Sequence, residues 1–221
     1  MKPKALVSWS SGKDSAFALH HARLAGELEL VGLLTTVTSS YGRVSMHGVR
    51  EELLERQACA VGLPLRKVSI APDGSAEDYQ RVMRLELMSA RDAGVTHVVF
   101  GDLFLAELRA YREEQLAQLE LHAVFPLWQR DTAELARTMI AGGLEATLTC
   151  VDPRRLSGSF AGKRFDAALL EALPAGVDPC GENGEFHTCV TAGPMFAQPI
   201  AVRGGEVVER GGFVFADVIP T

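Results

Sequence analysis

The stretch ALVSWSSGKDSAFAL, residues 5–19, decides how the rest of the chain is read. Ala5 to Trp9 is a short apolar run with the character of a buried strand. Asp14 to Ala25 then places Phe17, Ala18, His21 and Leu24 at helical spacing. Between them lies Ser10-Ser11-Gly12-Lys13-Asp14-Ser15, a turn of small and polar residues that ends where the helix begins. Small residues let backbone N–H groups approach an anion, the helix N-terminus supplies partial positive charge, and Lys13 adds a full one. The turn is built as an anion cradle.

It is not a Walker A loop, because Asp14 follows Lys13 where that motif has Ser or Thr, and Val7 stands where it has Gly. The plainer alternative is a polar strand-to-helix turn with Asp14 or Ser11 as N-cap. The remainder of the chain favours the cradle, since strand and helix patterns alternate: a strand over Leu30–Val37, a helix over Val49–Val61, a strand over Leu65–Ile70, a helix over Ala76–Ala93 and a strand over Thr96–Phe100. Helical patterns at Tyr111–Leu121 and Thr132–Ala141 flank an apolar run, His122–Leu127. This rhythm predicts an α/β fold: a doubly wound, Rossmann-like parallel sheet covered by helices on both faces. In such sheets ligands bind beyond the carboxyl ends of the strands, which is where the turn at 10–15 lies.

The rhythm changes near Gly143. A strand over Ala146–Val151, a Gly/Ser-containing stretch, a short helix over Phe165–Leu173 and β-like segments at Thr188–Thr191, Pro199–Val202, Val207–Val208 and Phe213–Val218 predict a smaller α+β domain. The expected division is 1–143 for the doubly wound unit and 144–221 for the smaller α+β unit that packs on it.

Bulk properties remove other classes. A net charge of −6 with no run of Lys or Arg lacks the footprint of a nucleic-acid binder. The apolar stretch behind Lys2 and Lys4 is broken by Ser8, Ser10, Ser11, Lys13 and Asp14, so it is no signal peptide, and no stretch is long enough to span a membrane. Cys59, Cys150, Cys180 and Cys189 form no CxxC pair, which suits a reduced, cytoplasmic protein. Cys180, His187 and Cys189 match no standard zinc spacing, and the adjacent His20 and His21 do not share a helix face.

The loop at 10–15 resembles the SGGxDS fingerprint of the PP-loop ATP pyrophosphatases. Within that class the chain resembles the diphthine–ammonia ligase family over nearly its whole length, through three further segments in order. These are Met46-His47-Gly48, Gly101-Asp102 followed by Arg109-Ala110-Tyr111-Arg112-Glu113, and GENGEFHT from Gly181 to Thr188. Ser11 stands where the fingerprint has its first glycine. A positive φ there would cost on the order of 1 kcal/mol, and the hydroxyl gains a chance to donate to phosphate. Glu107 stands where relatives often carry Asp.

The resemblance implies two half-reactions. A substrate carboxylate attacks the α-phosphorus of Mg-ATP, releasing pyrophosphate, and ammonia then displaces AMP to leave an amide. It implies that Ser10, Ser11, Gly12, Lys13, Asp14 and Ser15 hold phosphates and that Asp14 holds Mg2+, an ion that takes few carboxylates and keeps several waters. Thr35, Thr36, Met46, His47, Gly101 and Asp102 would meet the rest of the nucleotide. Gly101 is expected to admit a ligand close to the backbone, and Asp102 to bind ribose or orient substrate. Lys13, Asp14, Glu185 and His187 are the expected catalytic groups. Glu107, Arg109, Arg112, Glu113, Glu182 and Thr188 are expected to bind substrate, with arginine suited to gripping a carboxylate bidentately. Free ammonium is the expected nitrogen donor, the acceptor is a small or protein-borne carboxylate, and a homodimer is the expected assembly. Two alternatives stay open: ATP pyrophosphatase chemistry on tRNA or a small molecule, and a nucleotide-binding regulatory module without chemistry.

Overall fold

The computed structural model describes residues 1–38, 42–71 and 74–221. Its first sheet contains five parallel strands, β1 (Lys4–Ser8), β2 (Glu29–Thr38), β4 (Leu65–Ile70), β5 (Val95–Val99) and β6 (His122–Val124). Their pairings give the order β4-β2-β1-β5-β6. A sixth strand, β3 (Arg43–Val44), pairs antiparallel with Val37 and Thr38 of β2. Those two residues already pair with Ser69 and Ile70 of β4 on one edge. β3 must therefore lie on the other edge, in the space that β1 leaves when it ends at Ser8 beside Leu34.

Alternation along the strands builds two cores. Ala5, Val7, Leu33, Val37 and Val99 face helices α1 (Lys13–Ala25), α2 (Glu51–Val61) and α5 (Thr132–Ala141). Leu6, Leu34 and Val98 face α3 (Ala76–Asp92) and α4 (Ala106–Ala117). Period-two burial against helices on both sides is the doubly wound arrangement expected from the rhythm. α3 opens on a capping box between Ser75 and Asp78. α4 starts and ends earlier than the apolar spacing suggests, and its N-cap is Leu105, which offers no side-chain acceptor to mark the boundary.

The remaining strands form an antiparallel sheet in the order β8-β7-β10-β9: β7 (Glu145–Val151), β8 (Phe186–Ala192), β9 (Val202–Arg210) and β10 (Phe213–Pro220). A short helix, α6 (Ala167–Ala172), lies between β7 and β8. β9 runs unbroken through the region where two separate β-like segments were expected. It is an exposed edge strand carrying Gly204 and Gly205, so it shows almost no apolar alternation. Phe186, Cys189, Val190 and Val218 of this sheet join Trp9, Phe17, Leu53 and Leu54 in one core, so the second sheet is welded to the first above its carboxyl edge. Among the described residues no helix is long and apolar enough to cross a membrane.

Candidate active site

The turn after β1 is held in shape by its own hydroxyls. The Trp9 N–H donates to the Leu34 carbonyl at 2.8 Å, and the Thr35 hydroxyl donates to the Trp9 carbonyl at 2.7 Å. The Ser15 hydroxyl accepts from the Ser10 N–H at 3.3 Å and donates to the Gly12 carbonyl at 3.0 Å. Ser11 sits at φ 69°, the left-handed conformation that costs a non-glycine residue on the order of 1 kcal/mol. Its Oγ is buried with no hydrogen-bond partner among the described residues. Such an orphan in a native site calls for a missing ligand or water. Gly12, not Ser11 or Asp14, is the N-cap of α1 and has no side chain to cap it; Thr188 takes the Lys13 N–H, which leaves the N–H groups of Asp14 and Ser15 to meet an anion.

Lys13 does not reach into this hollow. Its side chain turns inward and is 1% exposed. The ammonium pairs with Asp14 at 2.8 Å, donates to the Cys180 carbonyl and lies 5.5 and 5.4 Å from the ring centres of Phe165 and Phe186. Burial opposes its charge, but Asp14, Cys180 and Glu182 together more than offset that, and its pKa lies above the ordinary lysine value. Lys13 thus carries its charge beneath the loop and ties it to the 178–188 segment.

That segment returns to the loop from far along the chain. The Thr188 hydroxyl accepts the Lys13 N–H at 3.1 Å, and the Val190 N–H donates to the Ser11 carbonyl at 2.9 Å. The His47 Nδ1 donates to the Thr188 carbonyl at 3.2 Å, because a carbonyl only accepts, which leaves its Nε2 as an acceptor. A methyl on Gly12 would sit 2.9 Å from His47 Cε1, so the Met46–Gly48 turn closes over the cradle. The His47 and His187 rings lie 4.5 Å apart. Burial, then Lys13, pushes His187 down to about 4, and burial, then His187, pushes His47 well below its ordinary value. Both imidazoles are neutral near pH 7.

Two glutamates of the segment behave differently. Glu185 is 3% exposed; one oxygen accepts from the Asp178 N–H at 3.1 Å and the Asn183 amide at 3.2 Å, and the other has no partner among the described residues. Glu182 reaches across to the end of β5 and accepts the Leu103 N–H at 2.8 Å. Burial raises its pKa to about 7, with Asp14 and Asp102 adding to the rise and the Leu103 N–H opposing it. A carboxyl that titrates near neutrality beside a phosphate-type loop is placed to exchange protons.

Gly101 does not open space for a ligand. A methyl there would lie 2.7 Å from the Asp14 carbonyl carbon and 2.8 Å from the Ser15 nitrogen, so the first turn of α1 occupies that position. Asp102 is 8% exposed and paired with Arg112 at 3.0 Å, while Arg112 lies 4.5 Å from the centre of Phe100. Arg109 pairs with Glu113 at 2.8 Å and sits over Phe125 and Trp128 at 4.9 and 4.7 Å. Glu107 is exposed and has no hydrogen bond or ion pair among the described residues. The structure therefore gathers Ser10 to Ser15, His47, Asp102, Glu182, His187 and Thr188 around one loop. Arg109 and Glu113 spend their charges on each other, and Thr35 spends its hydroxyl on Trp9. Met46 is exposed and borders a cleft of about 740 Å3 beyond the ends of β2 and β4, flanked by Thr38, Tyr79 and Phe215.

Sequence reasoning missed two groups. Arg43 and Arg50 both bond Asp217, fastening β10 to the β3 region. Burial works to raise the Asp217 pKa, but the two arginines outweigh it and hold the carboxyl at about 2. Gln57 is fully buried on α2 between the two sheets. Its signal was available as a polar residue four positions from both Leu53 and Val61 on an otherwise apolar helix face.

Comparison with known proteins agrees with this layout. The model of the diphthamide synthase N-terminal domain matches residues 2–120, and that of the diphthamide synthase C-terminal domain matches residues 131–216. The chain is 28% identical to diphthine–ammonia ligase of Schizosaccharomyces pombe over 94% of its length, and 26% identical to that of Homo sapiens over 99%. It is 32% identical to that of Rattus norvegicus over 64% of its length. It spans 37% of the S. pombe protein, 54% of the rat protein and 89% of the human one. A U34-tRNA thiolase structure from Methanococcus maripaludis aligns with 63% of the chain and covers 56% of its own, at 13% identity and a TM-score of 0.39, a likeness too slight to weigh. With both of its family domains matched in order across the two sheets, the chain belongs to the diphthamide synthase family.

Proposed function

We propose that the chain is an ATP-dependent ligase that converts a substrate carboxylate into an amide with ammonia and releases AMP and pyrophosphate. One observation carries the reading: the cradle at 10–15, with an orphaned buried hydroxyl, is closed by the 181–188 segment, which brings Glu182 beside it. In the first step a carboxylate oxygen bonds to the α-phosphorus while the bond to the β-phosphate oxygen breaks. Loop N–H groups and the Ser11 hydroxyl receive the phosphate oxygens. In the second step nitrogen bonds to the acyl carbon and AMP leaves, and Glu182 takes the proton that the nitrogen sheds. Neutral His187 and the Nε2 of His47 accept hydrogen bonds there without adding charge.

Asp14, its side chain 27% exposed and both oxygens accepting from the Lys13 ammonium at 3.0 and 2.8 Å, would offer its remaining lone pairs to Mg2+, which would neutralise phosphate charge when bound. We place the adenosine end at the ends of β1 and β2 beside the Met46–Gly48 turn. Residues 1–143 would serve as the nucleotide-binding unit and 144–221 as the completing unit. The acceptor would be a small or protein-borne carboxylate, the nitrogen source ammonium, the compartment the cytoplasm and the assembly a homodimer. Sulfur transfer would fall to the exposed Cys59 on α2, since burial pushes the thiols of Cys150 and Cys189 up to about 12, far from the reactive thiolate.

The test is product analysis of the purified protein with labelled ATP, Mg2+, ammonium and a cell extract as acceptor source. AMP and pyrophosphate that depend on the extract, and are lost in Lys13→Ala and Glu185→Ala, are expected. ADP and phosphate as products would refute attack at the α-phosphorus.

A further inference from the structure

We infer that Gln57 is a positioning residue for the cradle: it holds the Ser11 carbonyl away from the nucleotide, so that the loop presents donors and not an acceptor to the phosphates. The inference rests on the nucleotide reading of the loop. Gln57 stands at the middle of α2 and is 0% exposed. Its Oε1 accepts the Trp9 indole N–H at 3.0 Å, and its Nε2 donates to the Ser11 carbonyl at 3.2 Å and the Val190 carbonyl at 2.7 Å. An indole only donates and main-chain carbonyls only accept, so these partners fix which way round the amide sits. One side chain thereby joins the end of β1, the cradle and β8.

The Ser11 carbonyl receives two donors, Gln57 and the Val190 N–H. That matters because Ser11 has positive φ and lacks the freedom of the glycine that suits such a site. Any change of φ or ψ at Ser11 swings its oxygen off both donors and leaves it buried without them, so the two bonds hold a backbone shape the residue itself disfavours. A carbonyl turned into the hollow would repel phosphate oxygens, and a cradle that must reorganise on binding loses the benefit of preorganised dipoles. α2 contributes no residue to the loop itself, so Gln57 acts through Ser11.

The experiment compares Gln57→Glu, which keeps size and the acceptor for Trp9 but, protonated at a fully buried site, offers one O–H in place of two amide N–H donors, with Gln57→Met, which keeps size and removes every polar arm. Trp9→Phe removes the indole arm alone. Each protein is melted and then titrated with α,β-methylene-ATP and with adenosine. In both Gln57 variants the dissociation constant for α,β-methylene-ATP should rise about tenfold or more, as expected for losing a buried hydrogen-bond donor. Adenosine affinity should stay within about threefold, a change worth well under one such bond. Trp9→Phe should leave both affinities near wild type. The inference is overturned if the Gln57 variants bind α,β-methylene-ATP normally, lose both ligands equally, or both fail to fold, or if Trp9→Phe shows the same loss. Wild-type protein that binds neither ligand would instead sink the nucleotide reading on which the inference stands, and needs no variant to be seen.

Discussion

Replacing Gly101 by alanine tests whether the end of β5 and the start of α1 are as closely packed as the structure has them. The added methyl would meet three main-chain atoms, Asp14 C at 2.7 Å, Asp14 O at 2.8 Å and Ser15 N at 2.8 Å. Ordinary contact begins at 3.4 Å, so the helix start must retreat by about 0.7 Å, and no side-chain rotation can relieve it. Overpacking of this kind costs about 1–3 kcal/mol. At about 2 kcal/mol, and about 2–4 °C per kcal/mol for a chain this size, the melting temperature should fall by about 4–8 °C. The retreat displaces Asp14 and Ser15, so affinity for α,β-methylene-ATP should fall as well. Gly62→Ala is the control: Gly62 has φ 74° and nothing within 4 Å, so its substitution carries only the left-handed backbone cost of about 1–2 kcal/mol and should spare binding. The reasoning fails if Gly101→Ala melts like wild type, or if it binds nucleotide as well as Gly62→Ala does.

Ser11→Gly should move stability and affinity in opposite directions: relief of the positive φ raises stability by up to about 1 kcal/mol in denaturant unfolding, while loss of the orphaned hydroxyl weakens α,β-methylene-ATP binding. A weaker fold with unchanged binding would contradict both halves. With free NH3 held constant across the pH series, Glu182, raised to about 7, should make amide formation climb with pH through neutrality; in Glu182→Gln that limb should vanish and the rate fall about 100-fold or more, with pyrophosphate release much less affected. An intact limb in the variant would assign the proton transfer elsewhere. The sign for stability is the reverse of the sign for rate, because the folded state holds this proton more tightly than the unfolded one, so its contribution is full at pH values below the ordinary glutamate range and is lost as pH rises through about 7. Asp217, held at about 2, contributes stability that is complete above the ordinary carboxylate range and disappears as pH falls toward 2. Its arginines are partly exposed, so Asp217→Asn should cost about 1–2 kcal/mol at neutral pH and flatten the acid limb of the unfolding curve, which a pH series of melts would reveal.

Local patterns carried the reading of the fold furthest where apolar spacing was regular. Thr132–Ala141 coincides with α5, whose Leu135, Ala136 and Met139 face the core, and Leu65–Ile70 coincides with β4, an edge strand in which Val68 is the buried residue. β3 escaped notice because a two-residue strand has no period, and β9 was read as two separate segments because an exposed edge strand has little to bury. At the site, the sequence identified the loop but not its geometry. Gly101 does mark a close approach, yet the neighbour is the backbone of α1, and only the folded chain reveals which partner comes near. Lys13 looked like a phosphate contact from its place in the motif; its inward turn depends on Asp14, Cys180, Phe165 and Phe186 meeting beneath the loop. Arg109 and Glu113 show the opposite case, charges grouped in sequence that satisfy one another on one helix face.

The bonds from Lys13 to Thr188 and from Val190 to Ser11 also set a timetable for synthesis. A ribosome adding about 5–20 residues per second needs roughly 10–35 s to travel from Ser11 to Val190. Through that interval the nascent chain can form β1, α1 and most of the parallel sheet. The strained serine, however, has neither Val190 to hold its carbonyl nor Thr188 to steady the helix start. The cradle takes its shape only once the β8 segment has left the exit tunnel, so an unfinished polypeptide would carry the signature motif without its folded form.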